Sequence, residues 1–163
     1  MSNAILYRMP SGIPGDVSRP SMSTTETGFF NPSNPFPAYG LPGKIVSGQF
    51  VPLAANDPAS VVYGFLVRPY PTTGANASDP LGTAVPPTSG PCNILRRGYM
   101  TVLNVAGTPA LDGQVYSRIA SPSSPTFIGD IEAAAVAGDT IEINATFMNA
   151  GDASGNVEIG YNI

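Results

Sequence analysis

The chain has 163 residues, a length that suits one ordinary domain able to bury a core without disulfides. Its 18 Gly and 18 Pro, 11% charged residues and complete lack of His and Trp disfavour long helices. The net charge of −4 gives no basic surface for a phosphate backbone, so no nucleic-acid partner is expected. No stretch is apolar enough for a signal peptide or a membrane span, which predicts a soluble, cytoplasmically made chain without a membrane partner.

Residues 1–43 are predicted to form an extended, Pro-rich N-terminal arm. They hold seven prolines and four charged residues, without a helical or strand period. Their apolar side chains need a groove to leave water, either on the chain's own domain or on a neighbouring subunit, while a disordered arm is a third alternative. The partner-contact candidates in this arm are Ile5, Tyr7, Ile13, Phe29, Phe30, Phe36 and Tyr39.

Residues 44–163 are predicted to form a β domain, because short apolar runs alternate with Gly, Pro, Asn and Asp. The run Val61–Val67 is apolar on both faces, which indicates a central strand, and Gly64 marks a bulge or a close approach. The loop Pro71–Pro91 is long enough to predict a functional or contact role. The seven predicted strands are Lys44–Leu53, Val61–Pro69, Ile94–Val105, Gln114–Ala120, Thr126–Ala135, Thr140–Met148 and Asn156–Ile163.

The last two predicted strands have the clearest pattern, with apolar and polar residues alternating along Ile141–Phe147 and Val157–Ile163. The Asn, Gly and Asp residues between them predict a hairpin. Ile131–Ala137 is predicted as part of a strand, with a short helix as the alternative. Together these elements predict an all-β fold, either jelly-roll-like or a small barrel or sandwich.

The chain has few side chains that could act in catalysis or bind a metal ion. Without His there is no histidine base or histidine metal ligand, and the lone Cys92 has no candidate base beside it. Asp130 and Glu132 lie two residues apart, but such a pair is more often solvated or bound to an Arg. No phosphate-binding motif occurs. The sequence therefore predicts no enzyme activity, no cofactor and no metal site.

Four arginines, Arg68, Arg96, Arg97 and Arg118, lie in or beside predicted strands of a chain that otherwise avoids charge. They either keep the surface soluble or pair with carboxylates across subunit boundaries, a role in which Arg is favoured over Lys. We include Arg68, Arg96 and Arg97 among the partner-contact candidates.

Several short sequence segments resemble those of the cement or decoration proteins of tailed bacteriophages. The resemblance spans roughly residues 15–163, and its phrases are Gly15–Pro20, Tyr63–Pro71, Leu95–Met100, Gly107–Ala110 and Gly113–Tyr116. It implies a small β-barrel or jelly-roll protein on the outside of an icosahedral head. Such a protein would stabilise contacts between major capsid proteins and would be found in the virion, at the capsid surface.

The partners that the resemblance implies are the major capsid protein and other copies of the chain, as a dimer or a trimer. One alternative is another virion component, such as a tail, fibre or minor head protein. A carbohydrate-binding β-sandwich is a further alternative, which the absence of Trp weakens.

Overall fold

The computed structural model describes residues 12–69, 79, 83–123 and 126–163. These residues form strands and two single turns of 3-10 helix, Pro20–Met22 and Ala59–Val61, which confirms the all-β prediction. The strands are β1 (Thr24–Phe29), β2 (Pro42–Val46), β3 (Gln49–Pro52), β4 (Gly64–Leu66), β5 (Pro91–Ala106), β6 (Gln114–Arg118), β7 (Ile131–Glu132), β8 (Thr140–Phe147) and β9 (Asn156–Tyr161).

The second half of β5 belongs to a closed β-barrel. It pairs antiparallel with β9, and the circuit continues through β8, β6 and β7, which returns parallel to β5. Closure satisfies the backbone groups that an open sheet would expose at its edges. The barrel core is aliphatic apart from Phe65, Phe147 and Tyr161.

The first half of β5 belongs to a second sheet, with β1 on one side and β4, β2 and β3 on the other. One isolated bridge between Phe30 and Phe50 joins its two ends. Its core is largely aromatic, with the Phe36 ring stacked on Phe50 at 4.9 Å and edge-on to Phe30 at 6.3 Å between centroids. The two edge strands of this sheet, β1 and β3, therefore meet at a single point and are otherwise not paired with each other.

Gly98 marks the point at which β5 passes from one sheet to the other. Its φ is +122°, and a Cβ there would overlap the Ser23 side chain and backbone. Ser23 Oγ accepts a hydrogen bond from the Tyr99 amide at 3.0 Å. The chain can approach β5 this closely only because residue 98 has no side chain.

The β8–β9 hairpin and the alternation along β8 confirm the strongest sequence predictions. The predicted close approach at Gly64 is also confirmed, since a Cβ there would strike the Leu95 backbone. The predicted strand Lys44–Leu53 is instead a hairpin, because Ser47 and Gly48 both adopt the left-handed conformation that a two-residue turn requires.

Other predicted boundaries were wrong. The strand predicted over Val61–Pro69 is only Gly64–Leu66, since a 3-10 turn precedes it. The strand predicted over Thr126–Ala135 is only Ile131–Glu132, with turns before and after it and no helix. Strand β1 lies inside the predicted arm and was not predicted at all. The division into residues 1–43 and residues 44–163 stays a prediction.

Candidate interaction surface

Three of the aromatic candidates are buried within the chain itself. Phe30, Phe36 and Tyr39 are each less than 5% exposed and form part of the second-sheet core. Ile13 is half-buried at the start of a turn in which the Asp16 amide donates to its carbonyl oxygen. Ile5 and Tyr7 lie outside the described residues. Partner contact through these residues stays a prediction.

Arg68 is also buried and holds the beginning of the described chain in place. Its Nε donates to the Pro14 carbonyl oxygen at 2.9 Å, and its guanidinium lies 4.5 Å from the centre of the Tyr39 ring. Burial lowers its pKa, while the nearby charge of Asp16 acts in the opposite direction. Arg68 therefore connects the second sheet to residues 14–16, which hydrogen-bond to Thr101 of β5.

Strand β1 is the most solvent-exposed strand among the described elements. Five of its six residues are exposed, and Gly28, which lies beside the buried Cys92 and Ile94, is half-buried. Phe29 is 59% exposed, and the residues opposite Thr27 and Phe29 on β5, Asn93 and Pro91, are exposed as well. We call β1 together with Pro91, Asn93 and Arg97 the β1 face.

The outer edge of β1 is also open over most of its length. Within the described residues, β1 pairs only with β5, and its far side meets β3 only at the Phe30–Phe50 bridge. The strand contains no Pro or Lys, which natural edge strands use to prevent pairing with other chains. Most of the outer edge of β1 is therefore without a partner strand among the described residues.

The two arginines on β5 have different surroundings. The Arg96 guanidinium lies 3.5 Å from the centre of the Tyr63 ring and 3.5 Å from Glu26, which also accepts a hydrogen bond from the Tyr63 hydroxyl. Arg97 is exposed opposite Thr24, and the described residues place no carboxylate within ion-pair distance of it. Arg97 therefore adds an available positive charge to the β1 face.

The side chains considered for chemistry, Cys92, Asp130 and Glu132, are all buried. Glu132 is fully buried and forms an ion pair with Arg118, while Asp130 caps the Phe127 amide. Burial raises the pKa of Asp130, and burial also raises the pKa of the Cys92 thiol to about 11. A thiol with such a pKa is not a nucleophile at neutral pH.

A second exposed region was not apparent from the sequence. Val85, Leu103 and Phe127 come from three separate parts of the chain and line one groove of about 630 Å³ together with Pro14, Tyr39 and Arg68. The exposed fractions of the three apolar side chains are 72%, 44% and 44%. No local pattern predicts this groove, because only the tertiary fold brings these segments together.

The part of the chain that the structure describes contains no helix that is both long and apolar enough to cross a membrane. It also contains no group of three or more acidic, Cys or His side chains placed to hold a metal ion.

Comparison with known proteins identifies one family. The family model of the XM1 gp53 minor capsid protein matches residues 1–161. A solved structure titled "The capsid of Myoviridae Phage XM1" contains a chain with the same fold, at a TM-score of 0.69 and 18% sequence identity. The match covers 99% of this chain and 97% of that one. No curated protein matches the chain.

Proposed function

The chain belongs to the XM1 gp53 minor capsid protein family, and we propose that it is a cement protein of a tailed-phage head. In this proposal it binds the outside of the assembled shell and stabilises contacts between major capsid proteins. Family membership supports the association with a phage capsid. We assign no catalytic role to any residue.

The observation that carries the proposed mode of binding is the exposure of five of the six β1 residues and of most of the strand's outer edge. An extended segment of the major capsid protein would add to this edge through backbone hydrogen bonds. Phe29 would then be covered by the added chain, and Arg97 would meet a carboxylate of the shell. Both side chains are exposed in the isolated chain and are held by a strand that pairs firmly with β5.

Stabilisation of the shell would follow from mass action. A subunit that binds the assembled lattice more tightly than its separated components shifts the equilibrium towards the assembled state. Many copies on one shell multiply this effect. The closed barrel would supply a rigid body whose own edges do not compete for the same strand.

The proposal is tested by adding the purified protein to assembled shells that lack it and measuring its co-sedimentation. We expect Phe29→Ser to weaken binding by about tenfold or more, because an exposed aromatic residue at an interface centre typically contributes 1 to 2 kcal/mol. Leu111→Ser is the matched control, since Leu111 is 65% exposed and lies outside the β1 face. Equal binding of the Phe29 variant and the control would exclude the β1 face.

The same experiment separates the cement role from the second candidate, an integral minor head protein, which the description of the matched family also suits. A cement protein binds to shells that are already assembled, whereas an integral component requires co-assembly. If the wild-type protein is incorporated only when it is present during assembly, the cement proposal is wrong.

A further inference from the structure

Residues 16–29, which we call the strap, run antiparallel along one side of β5. The second half of the strap contains β1, which pairs with the first half of β5. In the first half of the strap, the Asp16 carbonyl oxygen accepts a hydrogen bond from the Thr101 amide at 2.9 Å, and the Ser18 amide donates to the Tyr99 carbonyl oxygen at 3.2 Å. The strap therefore covers one backbone edge of β5 over most of its length.

Both ends of the strap are held by buried residues. Gly15, directly before the strap, is buried, and its amide donates to the Thr101 carbonyl oxygen at 2.8 Å. The Gly15 carbonyl oxygen accepts a hydrogen bond from the Arg68 amide, also at 2.8 Å. Phe30, directly after the strap, is 4% exposed and packs in the second-sheet core. Movement of the strap is therefore limited by two fixed ends.

Between these ends the strap buries little apolar surface. None of residues 16–29 is buried. Val17 is half-buried against the barrel core, whereas Met22 and Phe29 are each at least 59% exposed. Segments with few buried apolar contacts open at a lower free energy than the core of the same protein.

The ion pairs that fasten the strap are also close to solvent. Arg19 pairs with Glu158 of β9 at 2.7 Å, and Glu26 pairs with Arg96 of β5 at 3.5 Å. The Arg19 side chain is 41% exposed and the Glu26 side chain is 48% exposed. Ion pairs this close to water contribute little to stability.

Strand β5 has a second set of partners that does not involve the strap. Its opposite side pairs with β4 and β9, and its residues Leu95, Met100 and Val102 are fully buried. Loss of the strap would leave these pairings intact. The position of β5 is therefore fixed by the two cores, not by the strap.

We propose that the strap opens from β5 as one unit while the barrel and the second-sheet core stay folded. In the closed state β5 has partners on both sides and cannot accept another strand. In the open state the backbone groups on the strap side of β5 become an uncovered edge, so the strap acts as an autoinhibitory element. This inference goes beyond the proposed capsid role and concerns the free protein, in which the closed state predominates.

Amide hydrogen exchange of the full-length wild type, followed by NMR, tests the opening, because alternate amides of β5 face opposite sides. The Tyr99 amide donates to Ser23 Oγ at 3.0 Å and so faces the strap. The Asn104 amide donates to the Gly155 carbonyl oxygen, and the same alternation directs the Val102 amide to β9. We expect Tyr99 to exchange at least about tenfold faster than Val102, each relative to its intrinsic rate. Equal protection would overturn the proposal.

A disulfide staple tests whether the strap opens as one unit, since the 3-10 turn Pro20–Met22 divides it into two halves. Thr27 of β1 and Asn93 of β5 lie opposite each other, and both are exposed. Opposite Cα atoms of antiparallel strands are close enough for a disulfide. Thr27→Cys is combined with Asn93→Cys, and exchange of the Tyr99 amide is compared between the oxidised form and the reduced form of the same variant, which is the matched control.

We expect oxidation to slow exchange at Tyr99 by about tenfold or more, although the staple lies in the other half of the strap. An unchanged Tyr99 rate would show that the two halves open independently and would overturn opening as one unit. Neither measurement contains capsids, so a negative result leaves the proposed function untouched.

Discussion

The barrel and the second sheet share one strand but close their edges in different ways. In the barrel, every strand has a partner on each side, and its core is built mainly from aliphatic side chains of strands close in sequence. In the second sheet, short strands surround an aromatic core that includes Phe30, Phe36 and Phe50, and only one bridge joins its two ends. Among the described residues, the backbone edges that remain open are those of β1 and β3, which meet only at this bridge.

This difference indicates that the two regions have different structural roles. The barrel needs no other protein to satisfy its backbone, so it can act as a rigid support. The second sheet leaves five of the six β1 residues exposed, including Phe29, and the exposed Arg97 lies opposite Thr24 of this strand. Because β5 runs through both regions, a strand added beside β1 would be fixed directly to the barrel. The second sheet, whose edge strands lack partner strands among the described residues, is therefore the region in which we place the proposed partner contact.

The largest expected effect is in the barrel, with Phe147→Asp. Phe147 is fully buried, and an unpaired carboxylate there should cost at least about 4 kcal/mol and abolish cooperative unfolding. Circular dichroism during thermal unfolding measures the loss. Thr146→Asp is the control, since Thr146 is exposed on the opposite face of β8, and it should leave the melting temperature nearly unchanged. A folded Phe147 variant would show that the barrel register is wrong.

An intermediate effect is expected in the second sheet, with Phe36→Ala. Removing a ring stacked on Phe50 should lower the free energy of unfolding by about 3–5 kcal/mol, whereas Phe29→Ala, at an exposed Phe, should change it by about 0.5 kcal/mol or less. Hydrogen exchange should accelerate first in β2 and β3. Equal acceleration in β8 and β9 would mean that the two regions unfold as one unit.

The smallest expected effect concerns the ion pair that joins residue 19 to the barrel. Burial opposes ionisation of Glu158, but hydrogen bonds from Arg19 and Ser18 outweigh it and hold the Glu158 pKa below its ordinary value of 4.5. A lowered carboxyl pKa contributes stability above the unfolded-state pKa, and this contribution is lost as the pH falls through the folded-state pKa.

The melting temperature of Arg19→Ala should therefore fall below that of the wild type at pH 6, and the difference should shrink between pH 4.5 and pH 3. Arg97→Ala is the control, because the described residues give Arg97 no ion pair, and its difference from the wild type should not depend on pH in this window. A constant Arg19 difference across this range would show that the Glu158 pair does not act on stability.

Local patterns were sufficient for the strands whose one face is buried. The alternation along β8 and β9 predicted both strands and their hairpin, since period 2 directly reports which side chains enter the core. They were insufficient for β1, because five of its six residues are exposed and the strand carries no alternation of apolar and polar residues. Phe30 and Phe36 lie in the predicted arm, and the sequence left open whether they pack on their own domain or on a neighbour; in the structure they fill the core of the second sheet.

The sequence by itself determined the all-β class, the scarcity of chemical groups and the resemblance to phage cement proteins, because these depend on composition and on short local phrases. Only the tertiary structure decided that β5 serves two sheets, that β1 keeps an open edge and that three distant segments form the apolar groove. These features arise from pairings between residues far apart in the chain. No window of the sequence contains both partners of such a contact.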